Sequence, residues 1–212
     1  MAYTYMPVCI SLEKRSCLVV GGGNIALRKI EKLLDYKSNI TVITPEPLEK
    51  IEYFSNKNLL NLVKRKYISP EASSYNIVIS AADDNQTNEE VYRDCRHSGT
   101  IVNVVDNPPL CDFIFPAVVR RGFLTASIST DGKAPFLSGH LRIILENVFP
   151  EHWKKIVTYA SDFRLMVQEK WKDNKEKKIV SFDRFLNTDW KNLIKELETE
   201  EKIAEKLNRL ME

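Results

Sequence analysis

Hydrophobic and polar positions follow two different periods along the first half of the chain. The stretches "SCLVV" (16–20), "NITVIT" (39–44), "YNIVISAA" (75–82) and "TIVNVV" (100–105) are short, nearly continuous apolar runs. Runs of that length and purity are the pattern of strands covered on both faces. Between them, "NIALRKIEKLLDY" (24–36) and "PLEKIEYFSN" (47–56) carry apolar residues at helical spacing, and "LNLVKRK" (60–66) reads as extended. The polar cluster "DDNQTNEEVYRDCRHSG" (83–99) predicts a turn leading into a helix that Gly99 closes. Strands alternating with helices predict a parallel sheet with helices on its faces, a Rossmann-like doubly wound α/β domain.

The pattern then changes. "FIFPAVVRRGFLTASIST" (113–130) predicts two extended runs separated by "RRG", a hairpin rather than a crossover, and "APFLSGHLRIILENVF" (134–149) an amphipathic helix. From Glu151 onward, 27 of 62 residues are Asp, Glu, Lys or Arg and strand-like runs disappear. Apolar residues such as Trp153, Ile156, Phe163 and Leu165 then recur at helical intervals, which predicts a helical appendage with Trp153, Phe163 and Trp171 in its core. The expected division is 1–113 for the nucleotide-binding domain, 114–147 for a small α+β region, and 148–212 for a helical C-terminal domain.

Composition narrows the function classes. The 212 residues are 43% apolar and 28% charged, enough for a sizeable core. A net charge of +2 lacks the basic surplus of a nucleic-acid binder. No apolar run approaches the roughly 18 residues of a membrane span, and the N-terminus has no signal-peptide pattern. The four cysteines (Cys9, Cys17, Cys95, Cys111) fit neither a C-x-x-C pair nor a zinc spacing, and His97, His140 and His152 lie far apart. Reduced thiols, a cytoplasmic location and no resident metal site are expected.

The chemistry starts at "GGGNIA" (21–26), which satisfies G-x-G-x-x-A between a strand and a helix. Glycine permits the sharp turn and lets backbone amides approach a pyrophosphate at the positive end of the helix. The cofactor candidates in this turn are Gly21, Gly22, Gly23, Asn24 and Ile25. At the end of the second strand, Thr44, Pro45 and Glu46 stand where an acidic residue often meets a ribose, although Glu46 lies slightly beyond the usual place and is also placed to cap the next helix. No arginine is there for a 2′-phosphate, which favours NAD over NADP. "SAADDNQTN" supplies a third turn, with Ala82 and Asp83 as candidates; Asp83 and Asp84 are equally placed to cap the following helix.

The segment "NVVDNPPLCDFIFPAVVRRGFLTASISTDGKAPFLSGHLR" (103–142), with "LVVGGGNIALRK" and "SAADD" ahead of it, resembles the precorrin-2 dehydrogenase/sirohydrochlorin ferrochelatase family. That resemblance implies NAD-dependent oxidation of precorrin-2 to sirohydrochlorin on the way to sirohaem or cobalamin. It allows, without requiring, insertion of Fe2+ or Co2+ into sirohydrochlorin. It also implies a homodimer formed through the central region. The aspartate of the "NVVD" motif corresponds to Asp106, and the resemblance assigns it to the dehydrogenation and to any chelation. Read from the residues alone, Asp106 in "DNPP" is also a turn residue. In the loop that is serine-rich in relatives and phosphorylated in some, Thr130 stands at the matching position. Thr130, Lys133, His140 and Arg142 are candidates to meet substrate, together with Arg120 and Arg121; each taken singly also reads as an ordinary solvated side chain. Two other readings fit the glycine turn: a dehydrogenase that leaves chelation to another enzyme, and a non-catalytic NAD-sensing module.

Overall fold

In a computed structural model, which describes residues 4–196 and 199–212, the chain forms two compact units, Met1–Phe115 and Pro116–Glu212. The expected segments 114–147 and 148–212 thus fall almost wholly in the second unit.

The first unit is built on five parallel strands. They are β1 (Ser16–Val20), β2 (Asn39–Ile43), β3 (Asn61–Val63), β4 (Ile77–Ser80) and β5 (Ile101–Val104), in the spatial order β3-β2-β1-β4-β5. The central strands are buried along almost their whole length, as their unbroken apolar runs demand. Helices α1 (Asn24–Leu34), α2 (Glu49–Asn56) and α3 (Asn85–Ser98) make the crossovers. One core lies beneath α1 and α2, with Val19, Ala26, Ile30, Val42, Ile51 and Ile79; the other lies on the α3 side, with Leu18, Val78, Val91 and Val102. Strand order reverses at β1, so the crevice beyond the carboxyl ends of β1 and β4 is the place where this topology puts ligands.

The second unit begins with the antiparallel hairpin β6 (Ala117–Arg121) and β7 (Leu124–Ile128). Arg120 and Arg121 belong to β6, so the turn is only Gly122–Phe123, with Gly122 at φ 59°. The run "FIFP" is not strand: Pro116 has no N–H to donate, and Phe113 and Phe115 pack on the core beneath α1. Helices α4 (Pro135–Val148), α5 (Trp153–Lys170), α6 (Lys175–Leu186), α7 (Trp190–Glu196) and α8 (Glu200–Arg209) follow. Phe163 stacks on Phe185 at 5.2 Å, and Ile156, Val167, Trp190, Ile203 and Leu207 complete a third core, that of the second unit. Trp153 and Trp171 pack partly buried against it, whereas Leu165 is 60% exposed and stands outside. Among the described residues no helix is long and apolar enough to cross a membrane.

Candidate active site

Because all five strands run parallel, the segments leaving their carboxyl ends share one edge of the sheet. The glycine turn leaves β1, Thr44–Glu46 leaves β2, Ala81–Asp83 leaves β4, and Val105–Asn107 leaves β5.

Each of the first two glycines is required by a close approach. Gly21 has φ 120°, and a Cβ there would stand 2.2 Å from the Ala81 carbonyl oxygen. A Cβ on Gly22 would stand 2.5 Å from Thr44 Oγ1 and 2.6 Å from the Glu46 carbonyl oxygen. Gly22 therefore serves to let the β1 and β2 loops touch, and its carbonyl accepts the Leu48 N–H at 3.1 Å. Gly23 differs: no atom lies within 4 Å of the position its Cβ would take. Gly23 caps α1 without a side-chain hydrogen bond, and it is exposed together with Asn24 and Ile25. The positive end of an eleven-residue helix thus has no side-chain cap and opens on the sheet edge, where exposed backbone N–H groups favour an anion.

Thr44 is buried, and its Oγ1 accepts the Glu46 N–H at 3.3 Å, which fixes the Thr-Pro-Glu turn. Glu46 does not cap α2; the cap position is Leu48, without a side-chain bond, and the Glu46 carboxylate is exposed at the strand edge. In the third turn Asp84, not Asp83, is the cap. Its carboxylate accepts the Gln86 and Thr87 N–H groups and the Thr87 hydroxyl, and these bonds hold it below the usual carboxylate range. Asp83 is left exposed. The turn has a support that the sequence did not reveal. Asn88, buried on the first turn of α3, donates to the Ala82 carbonyl at 2.8 Å, and its Oδ1 accepts the Ala82 N–H at 3.2 Å and the Ser80 hydroxyl at 2.7 Å.

Asp106 sits in a tight turn closed by the Asn107 N–H to the Val104 carbonyl at 3.2 Å, with φ 59°. Aspartate tolerates that left-handed conformation better than most residues. The turn is braced by Cys111, whose Sγ lies 3.1 Å from the Val104 and 3.3 Å from the Asn107 carbonyl oxygen. Asp112 accepts the Val102 N–H, and the Asn103 side chain donates to the Phe113 carbonyl, so residues 111–113 cover the outer edge of β5. The Asp106 carboxylate itself is exposed. Across from it stands Lys29 of α1, whose ammonium feels both Asp106 and Cys111; burial first, and the Lys32 charge second, hold Lys29 below the usual lysine range. In "LRKIEKLL" Lys29 and Lys32 read as the solvated face of an amphipathic helix, which is why sequence reasoning passed over them.

The remaining candidates belong to the second unit. Thr130 Oγ1 accepts the Ala134 N–H at 3.1 Å and lies 3.1 Å from the Ser138 hydroxyl, so it fixes the entry to α4. Arg142 pairs with Glu146 on the same helix. Lys133 and His140 are exposed. Arg121 packs its stem into the unit and reaches Glu151 at 3.4 Å. Among the described residues no three His, Cys, Asp or Glu side chains converge as a metal-binding group.

The family model described as "Putative NAD(P)-binding" matches residues 8–117, just over half of the chain. The chain belongs to this NAD(P)-binding family. This family member is 34% identical to a siroheme synthase of Methylococcus capsulatus over 165 residues, which is 78% of this chain and 35% of that protein. It is 37% identical to a siroheme synthase of Psychrobacter arcticus over 164 residues, 77% of this chain and 30% of the relative. The match thus spans about a third of the length of these curated relatives. The solved structure of "SirC, precorrin-2 dehydrogenase" shares its fold, with a TM-score of 0.79 over 97% of this chain and 98% of that one, at 24% identity.

Proposed function

We propose that this chain oxidises precorrin-2 to sirohydrochlorin with NAD+, in the cytoplasm. The observation that carries this reading is the convergence, on one sheet edge, of an uncapped glycine turn, the Thr44–Glu46 and Ala82–Asp83 turns, and an exposed, braced carboxylate at Asp106. The siroheme synthase relatives and the fold of the precorrin-2 dehydrogenase support the choice of substrate. The free thiols of Cys9, Cys17, Cys95 and Cys111 agree with a reducing compartment.

Oxidation of the reduced tetrapyrrole removes a hydride and a proton together. NAD+ when bound supplies the hydride acceptor. The backbone N–H groups of Gly23, Asn24 and Ile25 are assigned to the pyrophosphate, and Thr44, Pro45 and Glu46 to the adenosine ribose. Gly21, Gly22 and Ala82 hold these segments in contact, and Asp83 lines the same edge. Asp106 takes the proton, a role that needs an accessible carboxylate on a fixed backbone. The same carboxylate is available to receive pyrrole protons when Fe2+ or Co2+ enters as the substrate of a chelation step. A sensor module would need the glycine turn but gives no reason to brace an exposed aspartate with Cys111.

The experiment is direct. Purified protein with precorrin-2 and NAD+ should form the sirohydrochlorin chromophore and NADH in equal amounts. Added Fe2+ or Co2+ then tests chelation separately. Protein that binds NAD+ and leaves precorrin-2 unchanged would favour the sensor.

A further inference from the structure

Helix α1 carries two lysines beside the Asp106 turn. Lys29 and Lys32, one helical turn apart, hold their ammonium groups 4.2 and 5.7 Å from the centroid of the same Phe115 ring. That ring is fixed from behind. Phe115 meets Phe113 edge-on at 5.5 Å, the Phe113 carbonyl accepts the Asn103 side chain at 2.8 Å, and both rings pack on the core beneath α1.

Neither lysine forms an ion pair among the described residues, although Glu31 on the same helix pairs with Lys50 at 2.6 Å. Lys29 is half-buried, and the groups that act on its charge are Lys32, Arg28, Cys111 and Asp106. A half-buried ammonium pressed towards a second cation is unfavourable, and one aromatic face offsets only part of that cost. An anion placed between the two ammonium groups would relieve it. The cofactor pyrophosphate is a poor candidate for that anion, because Lys29 lies five residues beyond the start of α1, about 7.5 Å along the axis.

We propose that Lys29 and Lys32, backed by Phe115, form a carboxylate-binding site for the acidic side chains of the tetrapyrrole, beside Asp106. The inference rests on the precorrin-2 reading, since that substrate is a polycarboxylate and approaches the carboxylate that takes its proton. Anchoring one edge of the macrocycle on α1 would orient it against Asp106.

The test uses sirohydrochlorin as an equilibrium probe and precorrin-2 as substrate. Lys29→Met and Lys32→Met keep an unbranched stem, half-buried at Lys29 and exposed at Lys32, and remove the charge. Each is expected to weaken sirohydrochlorin binding about tenfold, the effect of one charged hydrogen bond, and to raise KM for precorrin-2 more than it lowers kcat. NAD+ affinity should not change, and the Lys29→Arg/Lys32→Arg double variant should bind sirohydrochlorin nearly as wild type. Unchanged sirohydrochlorin affinity in a folded Lys29→Met/Lys32→Met variant would overturn the site, and so would a selective loss of NAD+ affinity. A wild-type protein that neither binds sirohydrochlorin nor oxidises precorrin-2 would instead overturn the functional reading on which the occupant depends.

Discussion

Three adjacent glycines have three different physical duties, and substitution separates them. Gly21→Ala would drive a Cβ into the Ala81 carbonyl at a φ of 120°, so it should destabilise the domain by on the order of 1–3 kcal/mol or more, read by urea unfolding. Gly23→Asp meets open space, and aspartate is a better helix cap than glycine, so the fold should survive. NAD+ affinity should nevertheless fall at least about tenfold, because a carboxylate would stand where the pyrophosphate is assigned; an unchanged dissociation constant would remove that assignment. At Asp106 the informative change is to asparagine, which keeps the left-handed backbone and the turn while removing the base. Sirohydrochlorin formation should drop by about 10²–10⁴-fold with the melting temperature retained. Lys29 carries a pH signature. Its depressed folded value means that, between that value and about 10.4, the unfolded chain holds a proton the folded chain lacks, so stability rises with pH across that window. Unfolding titrations of Lys29→Met should show a flatter rise there; the same slope as wild type would count against a burial-strained ammonium.

Elements carry the next level of the argument, because a strand end is only as well placed as the helix behind it. Asn88 ties the first turn of α3 to both ends of the Ala82 peptide and to Ser80. Asn88→Ala strands those buried groups and should cost about 1–3 kcal/mol, with weaker NAD+ binding as the Ala82 turn loosens. Wild-type values of both would make the asparagine dispensable. The strands of the sheet were legible because a segment buried on both faces has no freedom to be polar. The Gly99 stop was legible because helix termini have few chemical solutions, whereas the sequence left the cap of α3 open between Asp83 and Asp84. Asn88, Lys29 and Lys32 were not, since a polar residue on an amphipathic helix looks the same whether it meets solvent or a neighbouring loop. The start of β6 was misread for a related reason. "FIF" is apolar because it covers the α1 core, and hydrophobicity alone does not say which surface a segment covers.

At the scale of the whole molecule, the second unit leaves an apolar surface uncovered. Ile143, Ile144 and Val148 follow Phe136 at offsets of 7, 8 and 12 along α4, on a face with exposures of 81% for Phe136 and 51, 45 and 54% for the other three, and Phe123 at the hairpin tip is 84% exposed. The buried Ser138 marks the opposite side of the same helix, the side turned towards its own unit. Isolated exposed apolar side chains are ordinary on a protein surface, but four large ones along one helix, with a fifth at the hairpin tip of the same unit, form the pattern that an interface covers. Its simplest occupant is the same stripe on a second copy, since a two-fold axis pairs a patch with itself and closes the assembly. The chain is therefore proposed to be a homodimer through α4 and the β6–β7 hairpin, as its sequence resemblance implies. Light scattering at micromolar concentration should give twice the chain mass for wild type, and Phe136→Glu/Ile143→Glu should give the monomer mass. Because those side chains are exposed, the double variant should keep the melting behaviour of the first unit and its NAD+ affinity. A wild-type monomer, or a charged variant that still dimerises, would assign the stripe to another partner.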